Sequence, residues 1–209
     1  MSSHTFKNPA YRIETKRLVI RCYNPADAPL LAESVTESVQ HLRPWMPWVY
    51  AEPEPLAEKT ERLKRFRGMF DLGQNFVYGI FNLEETKLIG GTGLHPRLGE
   101  HELEIGYWIH KAHINQGLVT ESTAALVKVA FEIMSVHRIE IHCDPGNVAS
   151  AAIPRKLGFT HEGTLRAKTP FLERWSDSMI WGLLENEYPK TPSAQAEINV
   201  FDADGRQIL

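Results

Sequence analysis

The sequence predicts one domain of mixed α/β class. Three observations carry this. Six segments are patterned as strands, and in Leu18–Cys22, Leu103–Ile109 and Arg138–Cys143 apolar residues recur at every second position. Four other segments read as helices, and two of them space their apolar residues for one face. The two kinds interleave as strand, helices, three strands, helix, strand, helix, strand, which is a mixed α/β order.

In chain order, Leu18, Ile20 and Cys22 alternate with Val19 and Arg21 as the first strand. Asn24-Pro25-Ala26-Asp27 reads as a turn or cap, and a helix to about Val39 follows, with Leu30, Leu31, Ser34 and Val35 on one face. Pro44 and Pro47 rule out a regular helix over Leu42–Tyr50, leaving an aromatic loop. Pro53 and Pro55 precede a helix from about Leu56 to Met69. Phe76–Phe81 and Lys87–Leu94 are strands joined as a hairpin through Asn82–Thr86. Gly90, Gly91 and Gly93 mark a bulge or a close approach in the second of them. Leu103, Ile105, Tyr107 and Ile109 alternate with Glu104, Gly106 and Trp108.

The clearest helix runs from about Val119 to Met134, with Ser122, Ala125, Leu126, Val129, Ala130 and Ile133 in one stripe. Arg138–Cys143 turns Ile139, Ile141 and Cys143 inward. A short helix over about Val148–Leu157 is capped by Gly158, and Arg174–Leu184 is the last strand. Residues 1–188 are expected to form the domain. Residues 189–209 are expected to be a tail or small hairpin appendage turning at Asp204-Gly205.

Composition narrows the function by exclusion. Lys plus Arg number 23 against 26 Asp plus Glu, a net −3 that does not suggest a general nucleic-acid binder. Cys22 and Cys143 are the only cysteines and lie far apart, which argues against a disulfide framework and fits a reducing compartment. No run approaches the ~20 apolar residues that span a bilayer, and the first seventeen residues lack a leader pattern. The expectation is a cytoplasmic protein with no membrane partner; a homodimer is compatible with the sequence.

Two strand ends carry chemistry. After Ile105–Ile109 comes Asn115-Gln116-Gly117-Leu118-Val119-Thr120-Glu121, where a glycine turn opens the long helix. The first N–H groups of a helix have no internal partner and carry the positive end of its dipole, so an anion such as pyrophosphate can sit there. After Arg138–Cys143 comes Asp144-Pro145-Gly146-Asn147-Val148-Ala149-Ser150, in which Asn147 suits a helix cap and Ser150 lies one turn in. Each piece alone also reads as an ordinary turn.

In their order and spacing these residues resemble the GNAT acetyltransferase superfamily, in its RimJ/RimL-like branch of ribosomal-protein N-terminal acetyltransferases. The resemblance covers roughly Thr15 to Leu184. Glu14-Thr15-Lys16-Arg17-Leu18-Val19-Ile20-Arg21 is similar to the first strand of the branch, Asp27-Ala28 to the start of its first helix, and Leu42-Arg43-Pro44-Trp45 is also branch-like. Glu104–Ile109 resembles the strand that pairs with pantetheine. Gln116-Gly117 with Thr120-Glu121 resembles the pyrophosphate loop. Asn147, Ser150, Lys156, Leu157, Gly158 and Phe159 match a second cofactor motif.

The resemblance implies a GNAT fold, a mixed central sheet splayed at the acetyl-CoA site and flanked by helices. It implies acetyl-CoA as co-substrate, bound by Trp108, Ile109, Gln116, Gly117, Leu118, Val119, Thr120, Asn147, Ser150 and Lys156, and direct acetyl transfer to a primary amine in a ternary complex. The acceptor is a protein N-terminus or a small-molecule amine. Three departures stand out: Ile114 and Val119 replace the usual ends of the pyrophosphate loop, Pro154 lies inside the short helix and predicts a kink, and Thr169 stands where some relatives carry a candidate catalytic Glu.

Transfer to an amine needs a base, a place for the developing oxyanion and a proton for the leaving thiolate. Glu104 is the first choice for base, against the competing reading of a solvated strand-face carboxylate. Ser150 is the candidate acid and Tyr107 a weaker one; a backbone N–H near Ile109 is the family's partner for the carbonyl oxygen. Trp45, Trp48 and Tyr50 either line the acceptor pocket or plug the core. His110 and His113 lack a third ligand, so no metal is expected. A coenzyme A-binding sensor or scaffold without turnover is the alternative from another class.

Overall fold

The computed structural model describes residues 9–209. The leader reading above falls partly on residues 1–8, outside that range. In chain order the elements are β1 (Arg12–Glu14), β2 (Val19–Cys22), α1 (Ala28–Leu42), α2 (Leu56–Asp71), β3 (Phe76–Phe81), β4 (Leu88–His95), β5 (Glu102–Ile109), α3 (Leu118–Glu132), β6 (Arg138–Cys143), α4 (Val148–Lys156), β7 (Thr160–Phe171), β8 (Arg174–Leu184) and β9 (Asn199–Phe201). The nine described strands form one sheet in the order β7-β8-β6-β5-β4-β3-β2-β1-β9. Of these pairs, β5 with β6 is parallel and the rest are antiparallel.

The alternation read from the sequence decides which face each helix covers. Leu103 and Ile105 of β5, with Ile139, Ile141 and Cys143 of β6, pack under α3 through Ala125, Leu126, Val129 and Ala130, and Ala151 of α4 joins them. On the opposite face Val19, Phe81 and Leu88 pack with Ala28, Leu31 and Val35 of α1 and Leu63 of α2. The wide apolar stripe of α3 thus becomes the centre of the larger core.

Several boundaries differ from expectation for visible reasons. Helix α1 runs on to Leu42 because Arg43 N–H still reaches the Val39 carbonyl, and Pro44 stops it one residue later. The three glycines of β4 meet both expectations. The β3–β4 register shifts at Ile80/Phe81, and a Cβ on Gly91 would fall 2.3 Å from Nε1 of Trp108. The expected tail contains β9, which pairs with β1, and Val200 is buried in the main core. Its turn over Asp202–Arg206 brings Gln207 back against Phe201. Strands β1 and β7 were not read from the sequence. Among the described residues, no helix is long and apolar enough to cross a membrane.

One irregularity positions everything that follows. The β5–β6 ladder holds only at Glu102↔Arg138, Leu103↔Ile139 and Glu104↔Glu140. Beyond it, β5 continues through Ile105–Ile109 and β6 through Ile141–Cys143 without pairing to each other. The sheet opens into a V between its two parallel strands.

Candidate active site

One arm of the V leads to the start of α3. Gly117 adopts φ +76°, a left-handed conformation that favours glycine, and turns the chain into the helix. Glu121 N–H bonds the Gly117 carbonyl at 3.0 Å, so the N–H groups of Leu118, Val119 and Thr120 precede the first helical bond. Leu118 is buried and anchors this turn, Val119 and Thr120 are half-buried, and Gln116 is exposed with its Nε2 donating to the Ala112 carbonyl at 3.0 Å.

Arg17, in the β1–β2 turn, was not singled out from the sequence. Its Nη1 donates to the Gln116 carbonyl at 2.9 Å and its Nε to Glu121 at 2.6 Å, while Thr15 Oγ1 also donates to Glu121 at 2.6 Å. Ile114 is exposed and brings no charge to the loop; the guanidinium beside Gly117 comes from Arg17 instead.

The other arm leads to α4. Asn147 caps it, its Oδ1 accepting Ser150 N–H at 3.1 Å. The helix runs from Val148 to Lys156 through Pro154. Proline has no N–H to give the carbonyl four residues back, which is that of Ser150. Tyr107 Oη, from β5, donates to that freed carbonyl at 3.0 Å and accepts from Ser150 Oγ at 3.2 Å. The proline therefore leaves an acceptor that a residue of the facing strand satisfies, and Tyr107 bridges the V. Burial pushes the Tyr107 phenol well above its usual range, so it stays a donor at neutral pH. Ile109 packs against the α3 core, and Lys156 is exposed in the last turn of α4.

On the opposite face of the sheet Glu104 is buried, at 7% exposure, and is not the solvated carboxylate of the competing reading. Arg97 grips it from the turn after β4, with Nε at 2.7 Å from Oε2 and Nη2 on Oε1. His142 Nδ1 lies 3.7 Å from Glu104 Oε2, and His142 Nε2 lies 2.5 Å from Glu140 Oε2. Glu140 accepts from Arg138 at 2.7 Å, and Arg138 continues to Glu162 on β7. His95, across from Glu104 on β4, shares Nδ1 with Asn75 Oδ1 at 2.7 Å. Burial and then Arg97 push its imidazole down to about 4. Arg97, Glu140 and His142 escaped the sequence reading. The signal was the polar half of the β6 alternation.

The aromatic loop spans this opening. Trp48 meets Trp108 edge-on at 6.0 Å, Trp45 lies near Gly146 in the turn before α4, and Tyr50 meets Phe171 at the β7 end at 6.3 Å. The Trp108 side chain meets this loop and lies over Gly91. Thr169 lies beyond a bulge in which Ala167 N–H is held by Asp177 Oδ1 at 2.9 Å. His110 Nδ1 accepts Ala112 N–H at 3.1 Å, closing the turn before Ile114. Among the described residues, no cluster of His, Cys, Asp and Glu could hold a metal ion.

The model for the Acetyltransferase (GNAT) domain matches residues 17–160, which include both arms of the V. The chain belongs to the GNAT acetyltransferase family. It is 28% identical over 185 residues to the [Ribosomal protein uS5]-alanine N-acetyltransferase of Escherichia coli, covering 84% of this chain and 91% of that protein. It is likewise 28% identical over 177 residues to the uncharacterized N-acetyltransferase YnaD of Bacillus subtilis, covering 84% and 98%. A crystal structure of a GNAT-family acetyltransferase from Bacillus anthracis superposes with TM-score 0.70 at 25% identity, over 84% of this chain and 99% of that one. Mycobacterium smegmatis RimJ in complex with CoA-disulfide shares the fold, with TM-score 0.77 at 20% identity over 93% of each chain. This GNAT chain is an acetyl-CoA-dependent N-acetyltransferase. Its residues fit the co-substrate: a glycine-led helix start for phosphates, and a stretch of β5 with no strand partner on the β6 side.

Proposed function

We propose that the acceptor is the α-amine of a protein N-terminus, acetylated by direct attack within a ternary complex. The observation that carries this is the V, with the coenzyme elements on one face and a buried carboxylate, Glu104, on the other. Trp48 and Tyr50 border that second face and are solvent-exposed, which suits the end of a polypeptide. The similarity to an enzyme named for N-acetylation of an alanine of ribosomal protein uS5 supports the same reading, and with it a cytoplasmic location.

In this reading acetyl-CoA lays its pyrophosphate on the backbone of Gln116–Thr120, and its pantetheine pairs with β5 at Trp108 and Ile109. Asn147, Ser150 and Lys156 flank it from α4. Glu104 meets the incoming ammonium and accepts its proton, directly or through water. The neutral nitrogen attacks the thioester carbonyl and the C–S bond breaks; the Ser150 hydroxyl, held by Tyr107, gives the leaving thiolate its proton and takes the nitrogen's second proton in its place.

The test is mass spectrometry of peptides after incubation with protein and acetyl-CoA. A peptide with a free N-terminal alanine should gain one acetyl group at its α-amine, and the same peptide with a blocked N-terminus should gain none. Acetylation of small free amines with every peptide left unmodified would overturn the protein-acceptor reading.

A further inference from the structure

We infer that His142 is the group on which the acceptor's proton comes to rest, passed from the amine through Glu104. The inference rests on the acetyl-transfer reading above and extends it to a residue that reading does not use.

Geometry places His142 at the mouth of the V. Glu104↔Glu140 is the last β5–β6 pair, and His142 follows two residues later, on the unpaired part of β6. Alternation puts Ile141 and Cys143 into the α3 core and His142 on the face of Glu104. Glu140 lies 2.5 Å from Nε2 and fixes that nitrogen as the N–H donor. The lone pair is then on Nδ1, 3.7 Å from Glu104 Oε2. That gap is too long for a direct hydrogen bond and short enough for a small shift or one water to close it.

The surrounding charges decide where the proton stays. Glu104 is held by the Arg97 fork. A proton left on Glu104 would cancel that ion pair. On His142 the same proton makes an imidazolium flanked by Glu104 and Glu140, with Arg138 and Glu162 beyond Glu140. On β8 the residue paired with His142 is Ile180, which carries no charge.

The step balances. Glu104 takes one proton from the ammonium and hands it to Nδ1, returning to the carboxylate. The neutral nitrogen forms the C–N bond, the C–S bond breaks, and a second nitrogen proton ends on the thiolate as free thiol. The imidazolium later releases its proton to solvent.

The experiment is the pH dependence of kcat/KM with acetyl-CoA and one peptide bearing an N-terminal alanine, for the unmutated protein, His142→Asn and Glu140→Gln. A common peptide makes the acceptor's own ionisation the same in every profile. For His142→Asn we expect a fall of at least roughly tenfold at neutral pH and loss of the acidic limb set by the imidazole. For Glu140→Gln we expect that limb to move to lower pH, because the imidazolium loses a carboxylate. Acetyl-CoA affinity should be unchanged in both. Thermal unfolding checks folding, and Glu140→Gln tests the inference should His142→Asn not fold. A profile for His142→Asn that keeps the unmutated limb overturns the inference, whether or not the rate falls. Should the unmutated protein bind acetyl-CoA and acetylate no peptide, the peptide-acceptor reading fails first and the relay with it.

Discussion

The two faces of the sheet at the V are built by different means. The proposed coenzyme face is made largely of backbone: the helix start after Gly117, the turn capped by Asn147, the Ser150 carbonyl freed by Pro154, and the unpaired edge of β5. The proposed acceptor face is made of side chains, a chain of charges running Arg97, Glu104, His142, Glu140, Arg138 and Glu162 across four parts of the fold. A backbone site tolerates exchange of side chains such as Ile114 and Val119. A side-chain site does not, because each charge leans on the next. Binding and chemistry should therefore separate under mutation.

The largest effect should come from the acceptor face. Glu104→Gln keeps size and polarity and removes the carboxylate. The transfer rate should drop by roughly 10²–10⁴-fold, with partial recovery at higher pH as more amine is neutral without help. A near-normal rate at pH 7 would remove Glu104 from the mechanism.

Stability offers the next contrast. The His95 imidazole is pushed down to about 4 from its ordinary 6.5, so below 6.5 the unfolded chain binds a proton that the folded chain refuses. The contribution of His95 to stability should be complete above about 6.5 and should fall as pH drops toward 4, by up to roughly 3 kcal/mol. Denaturant unfolding between pH 7 and 4.5 should show a steeper loss for the unmutated protein than for His95→Gln. Equal slopes would mean that the acceptor face does not hold His95 neutral.

On the coenzyme face Gly117→Glu adds bulk and a negative charge at a left-handed residue beside the proposed phosphates. Acetyl-CoA affinity by calorimetry should fall at least about tenfold, about 1.4 kcal/mol. Unchanged affinity would put the coenzyme elsewhere. Ser150→Ala should be milder, lowering the rate by less than about tenfold, since a thiolate is a fair leaving group and most of the proton-transfer gain lies with the base. A loss as large as that of Glu104→Gln would reverse the order of importance.

The same contrast explains what the sequence made legible. Gly117, Asn147 and Ser150 are placed by local geometry, and local spacing reveals them. Glu104 was legible through alternation, but its burial was not, because Arg97 and His142 reach it from other strands. His142 looked like an ordinary histidine beside Cys143. Its meaning depends on Glu140 two residues back and on Glu104 across the ladder. Among the elements, α3 showed a clean stripe and was read to within two residues. Strand β7 was missed because residues 160–170 are almost all exposed and carry no apolar alternation. Strand β1 is three residues long with two of them charged, and β9 hides its one buried residue, Val200, in a polar tail.

The separation of the two faces is tested most directly by the acetyl-CoA dissociation constant of Glu104→Gln, measured by calorimetry beside the unmutated protein. A value within about twofold of the original is expected, even as transfer collapses. A loss of affinity comparable to the loss of rate would show that Glu104 belongs to the coenzyme site, and the division between a backbone face that binds and a side-chain face that reacts would not stand.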